Sequence, residues 1–74
     1  MDIEFVEHKG AYPSNNKFTQ AYQVVSLEDP YHPQDVGFTS TYEMAYEMAE
    51  KHDEEHDTST WGMGMRIYEI LILG

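Results

Sequence analysis

The alternation of apolar and polar residues predicts two strands in the first third of the chain. Ile3 and Phe5 lie two positions apart around Glu4, which places both apolar side chains on one face of a strand over residues 2–9. Residues 17–27 are rich in Phe, Thr, Tyr and Val and have no helical period, so a second strand is expected there. Turn-forming residues separate the two segments, and we expect an antiparallel hairpin.

A long loop is expected next, over residues 28–38. This region disfavours a long helix or a central strand because it contains Pro30, Pro33 and Gly37. A loop of this length in so small a domain is often functional, which makes Tyr31 and His32 a candidate partner-binding element. The simpler alternative is a plain connection in which Tyr31 packs on the sheet.

The clearest helix begins after Ser40 and runs towards His56. Ser40 and Glu43 have the spacing of a capping box, in which the two side chains cap free backbone amides. At about 100° per residue, one side of the helix gathers mostly apolar positions: Tyr42, Ala45, Met48, Ala49 and His52. The opposite side gathers acidic residues: Glu43, Glu47, Glu50 and Glu54.

The chain ends with a strongly apolar segment, Met65 to Leu73. Near its end Ile70 and Ile72 fall on one face of a strand and Leu71 and Leu73 on the other. An exposed edge of this kind invites aggregation, so we expect the strand to be paired on both sides or buried against a second subunit. A bulge or a flexible entry is expected just before it, at Gly62 and Gly64.

These elements define a single α+β domain over residues 1–74, with the order β-β-α-β. We expect a three-stranded, mainly antiparallel sheet with one amphipathic helix packed on one face, since each element covers the apolar side of the other. The second face of the sheet has no element left to cover it, although it would carry Val6, some of the tyrosines and half of the last strand. That uncovered face is a candidate interaction surface.

Composition and charge narrow the function classes. The 74 residues include 14 acidic and 4 basic side chains, for a formal net charge of −10. This charge argues against general nucleic-acid binding and against a polybasic membrane anchor, because both need a basic surface. The chain has no cysteine for a disulfide, no apolar run long enough to cross a bilayer and no signal-peptide segment at its N-terminus. We therefore expect a cytoplasmic protein.

One metal-binding pattern occurs in the helix. His52 and His56 complete the spacing H-x-x-E-H, and histidines four positions apart on a helix can reach one metal ion. A catalytic site also needs a third ligand and a cleft, so we expect a solvated acidic helix end with no metal and no cofactor. An enzyme is not expected, since the chain lacks cysteine and has no serine at a strand-to-helix elbow.

The acidic side of the helix is the strongest remaining signal. Seven acidic residues and a single Lys51 lie between Glu43 and Asp57. Five of the acids recur at steps of three and four, about 5–6 Å apart, close to the phosphate spacing of a nucleic-acid strand. They are Glu43, Glu47, Glu50, Glu54 and Asp57. Because such a row repels itself, it is either a solvated outer face or a surface that binds a cationic groove in place of phosphates.

Small size, the net charge, the β-β-α-β layout and the row Glu43, Glu47, Glu50 and Glu54 resemble small acidic inhibitors that phages encode against bacterial defence. These are anti-CRISPR and anti-restriction proteins of the DNA-mimic type. The resemblance implies a non-catalytic protein in the host cytoplasm that blocks the basic groove of a nucleic-acid-handling complex and does not bind nucleic acid itself. Two alternatives stay open: a small homodimeric accessory module that pairs through its last strand, and a metal-binding protein that uses His52 and His56.

Overall fold

The computed structural model describes residues 3–10 and 18–73 of the chain. In chain order, these residues form β1 (Ile3–Val6), β2 (Phe18–Ser26), β3 (Gln34–Thr39), α1 (Tyr42–His56), α2 (Thr58–Trp61) and β4 (Met65–Leu73). The predicted α+β class is confirmed, and so are the first two strands, the main helix and the last strand. Most of the turn predicted between β1 and β2 lies outside the described residues.

The strands form one mixed sheet in the order β1-β4-β2-β3. β2 is antiparallel to both of its neighbours, whereas β1 is parallel to β4, with Ile3 opposite Met65 and Val6 opposite Tyr68. The predicted three-stranded antiparallel sheet and the predicted hairpin of β1 with β2 are therefore wrong. β4 is apolar on both faces, and a strand buries more of its apolar surface in the interior of a sheet than at its edge. β4 therefore lies between β1 and β2 and separates them.

The additional strand, β3, lies inside the region predicted as a loop. Pro33 immediately precedes it, and a bulge occurs where Val24 pairs with Gly37 and Val25 pairs with Asp35. Within the described residues β3 pairs with β2 alone, which makes it an edge strand. Proline before a strand and glycine at a bulge are tolerated at a sheet edge. These residues exclude a central strand, as expected, but not an edge strand.

The main helix, α1, is capped one residue later than predicted. The N-cap is Thr41, whose side-chain oxygen accepts a hydrogen bond of 3.2 Å from the backbone amide of Met44. The hydroxyl of Thr39 donates to the carbonyl of Thr41 at 2.7 Å and so ties the cap to the end of β3. The predicted capping box of Ser40 and Glu43 is wrong for this reason. Among the described residues, no helix is long and apolar enough to cross a membrane.

One face of the sheet carries the core. Ala45 and Ala49 of α1 are fully buried against three fully buried residues of β2 and β4, which are Val24, Met65 and Ile67. Alanines one turn apart leave room for the helix backbone to approach the sheet. This packing fixes which side of α1 faces outward.

The chain passes from α2 to β4 through a close backbone contact. The amide of Leu27 donates to the carbonyl of Gly64, and the amide of Met63 donates to the carbonyl of Leu27, each at 2.9 Å. A Cβ atom on Gly62 would collide with the carbonyl oxygens of Leu27 and Glu28. The segment is therefore a close crossing of two backbones, and not the expected bulge or flexible entry.

The second face of the sheet is covered by no described element, as expected. Side chains alternate along β4, so that Met65 and Ile67 face the helix and the residues between them face the other way. The strand registers place the following residues on that side, which we call the open face: Glu4, Val6, Thr19, Ala21, Gln23, Val25, Asp35, Phe38, Arg66, Tyr68, Ile70 and Ile72. Ala21 and Val25 are buried by their neighbours within the sheet.

Pairing of β4 on both sides holds for half of the strand. Its first four residues, 65–68, pair with both β1 and β2. The stretch 70–73 pairs with β2 and with no other strand that the structure describes. The end of β4 therefore keeps one edge open among the described residues, on the side of β1.

Candidate functional site

The acidic row predicted from the sequence lies along the outer side of α1. Ala45 and Ala49 face the sheet, so residues about half a turn away on the helix face solvent. We call the following five residues the acidic face: Glu43, Glu47, Glu50, Glu54 and Asp57. All of them are exposed except Glu50, which is half-buried. Asp57 directly follows the helix with a left-handed backbone conformation, φ 50°.

The charges of the acidic face are unpaired within the part of the chain that the structure describes. The ion pairs found there join Glu4 to Arg66 at 3.0 Å and Asp29 to His32 at 3.1 Å, and neither involves the acidic face. Lys51 belongs to the same helix, but it makes no ion pair with any residue of the acidic face. The carboxylates of the row are thus left to solvent or to a partner.

One acid of this region, Asp53, faces inward. It is only 8% exposed. Its Oδ1 accepts hydrogen bonds from the hydroxyl of Thr58 and, at 2.9 Å each, from the amide and the hydroxyl of Ser59. Burial by itself raises the pKa of Asp53, but these hydrogen bonds outweigh it and hold the pKa below its ordinary value. Asp53 therefore joins α1 to α2 and is not part of the outer surface.

A cluster of aromatic rings lies beside the first turns of α1. The ring centroids of Phe5 and Tyr42 are 5.0 Å apart, those of Tyr22 and Tyr42 are 6.0 Å apart, and those of Tyr42 and Tyr46 are 6.2 Å apart. The first two contacts are edge-to-face, a favourable arrangement of aromatic rings, and the third pair is tilted by 45°. The cluster therefore holds the two helix tyrosines in fixed positions.

Tyr42 and Tyr46 are partly exposed and line a shallow groove together with Glu43 and Glu47. This groove was not predicted, although the sequence contains a signal for it. The tetrapeptide Tyr-Glu-Met-Ala occurs twice in succession, over residues 42–49. Residues four positions apart are neighbours on a helix surface, so the repeat sets two tyrosines beside two glutamates.

The predicted loop residues Tyr31 and His32 are both exposed. Tyr31 is 90% exposed, so the alternative in which it packs on the sheet is wrong. Asp29 organises the turn: Oδ1 accepts from the amide of Tyr31 and Oδ2 contacts Nδ1 of His32, both at 3.1 Å. These contacts lower the pKa of Asp29, and the hydrogen bond with His32 has the largest effect. The turn holds the Tyr31 ring in solvent.

A second exposed aromatic residue, Trp61, lies at the end of α2 and is 75% exposed. It lines a cleft with four polar residues, Ser26, Glu28, Asp29 and Gln34. Its backbone amide donates to the carbonyl of Asp57 at 3.1 Å, so it lies one helical turn beyond the acidic face. No periodic pattern indicates a role for Trp61, which follows a short Thr and Ser segment.

His52 and His56 stack on each other, with ring centroids 4.2 Å apart. Among the described residues, no group of three or more His, Asp or Glu side chains could hold a metal ion. Burial, and then the charge of His56, lowers the pKa of His52. Its Nδ1 is buried and has no hydrogen-bond partner there. The H-x-x-E-H spacing thus brings two rings together without a third ligand.

Comparisons with protein-family models, with curated proteins and with solved structures found no match to this chain. Its function has to be inferred from its own surfaces.

Proposed function

We propose that this chain is a non-catalytic binding protein whose acidic face occupies the basic, nucleic-acid-binding groove of another protein. The observation that carries the proposal is the acidic face itself. Its carboxylates have no ion-pair partner among the described residues. They project from a helix that the fully buried Ala45 and Ala49 anchor to the sheet.

The dimensions of the row suit a groove built for phosphates. Glu43 and Glu54 are separated by about 16 Å along the helix axis, at roughly 1.5 Å per residue. Successive acids are about 5–6 Å apart. A groove with several Lys and Arg side chains can therefore meet three or four carboxylates of one rigid helix, much as it meets successive phosphates of one strand.

The charge of the whole chain supports the same partner. A formal net charge of −10 attracts a basic groove over distance and speeds encounter at low salt. The same charge repels nucleic acid, so the partner is the protein and not its substrate. Tyr42 and Tyr46 add aromatic contact area beside Glu43 and Glu47, and buried tyrosines often dominate binding energy.

The proposed partner is a nucleic-acid-handling complex of the kind that anti-restriction and anti-CRISPR inhibitors block, in the host cytoplasm. In this proposal the chain acts by occupying the groove, and no chemical step is needed. In the proposal, the Tyr31–His32 turn and Trp61, which lie beyond the end of the acidic face, supply a secondary contact.

Affinity capture tests the proposal. The full chain is immobilised and exposed to a bacterial lysate treated with nuclease, and the bound proteins are identified. We expect enrichment of nucleic-acid-binding proteins that an added oligonucleotide of their cognate type displaces. Bound proteins that no oligonucleotide displaces would contradict a shared groove.

A further inference from the structure

The open face of the sheet has the composition of a contact surface. Phe38, at 56%, is the most exposed large apolar side chain on the described strands, and Ile72 is 42% exposed. They flank a shallow groove of about 300 Å³ over the smaller residues Thr19 and Ala21. An aromatic ring from outside can enter this groove between the two walls.

Among the described charged residues of the open face, Arg66 and Glu4 pair with each other, and Asp35 has no ion-pair partner. Arg66 pairs with Glu4 at 3.0 Å, and its guanidinium also donates to the Tyr68 hydroxyl at 3.0 Å. Asp35 lies on the edge strand, where the side-chain amide of Gln23 donates to it. A partner that covers this face therefore meets no cluster of unpaired charge.

We propose that a second copy of this chain packs on the open face, sheet against sheet. Two copies that each carry a net charge of −10 repel one another through the acidic face. Packed by their open faces, they carry their α1 helices on opposite outer sides. Sheets pack about 10 Å apart and a helix layer adds about 10 Å on each side, so the two acidic faces lie roughly 30 Å apart. That distance exceeds the Debye length of about 8 Å at physiological salt.

The size of the molecule allows a stable dimer on this side. The broad side, which includes the open face and the loops around it, extends over 42 × 22 Å. Its area of roughly 900 Å² is the most that one copy can contribute, compared with about 800 Å² that each partner contributes to an interface of standard size. A two-fold arrangement uses the same patch on both copies, so that Phe38 of each can pack against the apolar wall of the other.

The dimer is independent of the proposed target, and it makes the protein bivalent if that target binds. Two acidic faces on opposite outer sides can engage two grooves. The test below needs no target, so its failure leaves the groove-binding proposal unaffected.

Sedimentation equilibrium of the full chain measures the mass in solution. We expect about twice the monomer mass of 8.6 kDa at micromolar concentrations. Phe38→Lys should weaken dimerisation at least about tenfold. It also makes the chain less negative, so added repulsion between the copies cannot explain that loss. Met44→Lys is the matched control: Met44 is 53% exposed on α1, and its replacement makes the same charge change away from the open face.

A milder variant, Phe38→Thr, keeps a good strand former and guards against unfolding of the lysine variant; circular dichroism checks both. It should also weaken the dimer, whereas Met44→Lys should not. A wild-type chain that stays at 8.6 kDa up to millimolar concentration would overturn the proposal. A dimer that survives both Phe38 variants would also overturn it, because it would point to pairing through the open edge of β4, on the far side of the sheet from β3.

Discussion

Asp53 and Ser59 are joined by two hydrogen bonds of 2.9 Å, one from the backbone amide of Ser59 and one from its hydroxyl. The contact divides the acids of α1 into two kinds. Asp53 is buried and holds α2 against the end of α1, whereas the acidic face points outward and is free to bind. Because one carboxylate serves the fold and the others do not, the two roles can be tested separately.

Replacing Asp53 with Ala should destabilise the protein by about 2–4 kcal/mol. The substitution leaves the buried hydroxyl of Thr58 and the amide of Ser59 without their acceptor, and an unpaired buried polar group costs about 1–3 kcal/mol. Urea unfolding measures the change. The neighbouring Glu54→Ala is the control and should shift the free energy of unfolding by no more than about 0.5 kcal/mol, since Glu54 is exposed. Equal effects of the two changes would contradict a structural role for Asp53.

The same carboxylate should make stability fall in acid. Its pKa in the folded protein lies below the ordinary value of 3.8, so the unfolded chain takes up the proton first as pH falls. The stabilisation is present above about pH 4 and is lost as pH falls further. Unfolding of the parent and of Asp53→Asn from pH 5 to pH 3 should show a steeper loss in the parent. Parallel curves would contradict the account.

His52 should reduce stability in mildly acidic solution. Burial and the nearby His56 lower its pKa below the ordinary value of 6.5, and the carboxylates of Glu28, Glu55 and Asp53 oppose this only in part. As pH falls below 6.5, His52 is therefore protonated more readily in the unfolded chain than in the folded chain, and the stability of the fold declines. His52→Gln should flatten the change in unfolding free energy between pH 7.5 and pH 5. The prediction fails if the variant and the parent lose stability equally over this range.

Gly62→Ala should destabilise the fold by about 2–3 kcal/mol, since the new methyl group would press on the backbone carbonyls of Leu27 and Glu28. Gly37→Ala is the comparison. Its Cβ would meet the sulfur of Met48 at 3.0 Å, and that flexible side chain can move aside. Thermal unfolding should therefore rank Gly62→Ala as clearly the less stable of the two variants. The reverse order would contradict the close crossing of the two backbones.

Local sequence patterns correctly predicted α1 and β4. The spacing of Ala45 and Ala49 identified the buried side of α1, and the apolar run of β4 identified a strand inside the sheet. The parallel pairing of Ile3 with Met65 joins residues far apart in the sequence, and no local pattern reports it. β3 was missed because its region was predicted as a loop: Pro30, Pro33 and Gly37 exclude a central strand, as expected, but an edge strand tolerates them.

Part of the candidate site could not be predicted from sequence patterns. The acidic face follows from helical spacing for Glu43, Glu47, Glu50 and Glu54, which lie on the outer side of α1, whereas Asp57 directly follows the helix. The buried position of Asp53 was not predicted, because its role depends on Thr58 and Ser59, which follow the helix. Trp61 does not belong to a periodic pattern of apolar residues. Its exposure depends on the position of α2 relative to the loop that follows β2.

The most direct test of the central proposal reverses the charge of the acidic face. One variant combines Glu43→Lys, Glu47→Lys and Glu54→Lys. A matched variant combines Glu7→Lys, Asp35→Lys and Glu55→Lys, at residues that are also exposed but lie outside the acidic face. Both change the formal net charge of −10 by six units.

The measurement is the affinity of each variant for the nucleic-acid-binding protein recovered by capture, over a range of salt concentrations. Contacts with a desolvated Lys or Arg are worth about 1–3 kcal/mol each, so the acidic-face variant should bind more than a hundredfold more weakly and lose most of its salt dependence. The matched variant should stay within about tenfold of the parent, because it loses only long-range attraction. Equal losses in the two variants would contradict the account, since net charge and not the acidic face would then determine binding.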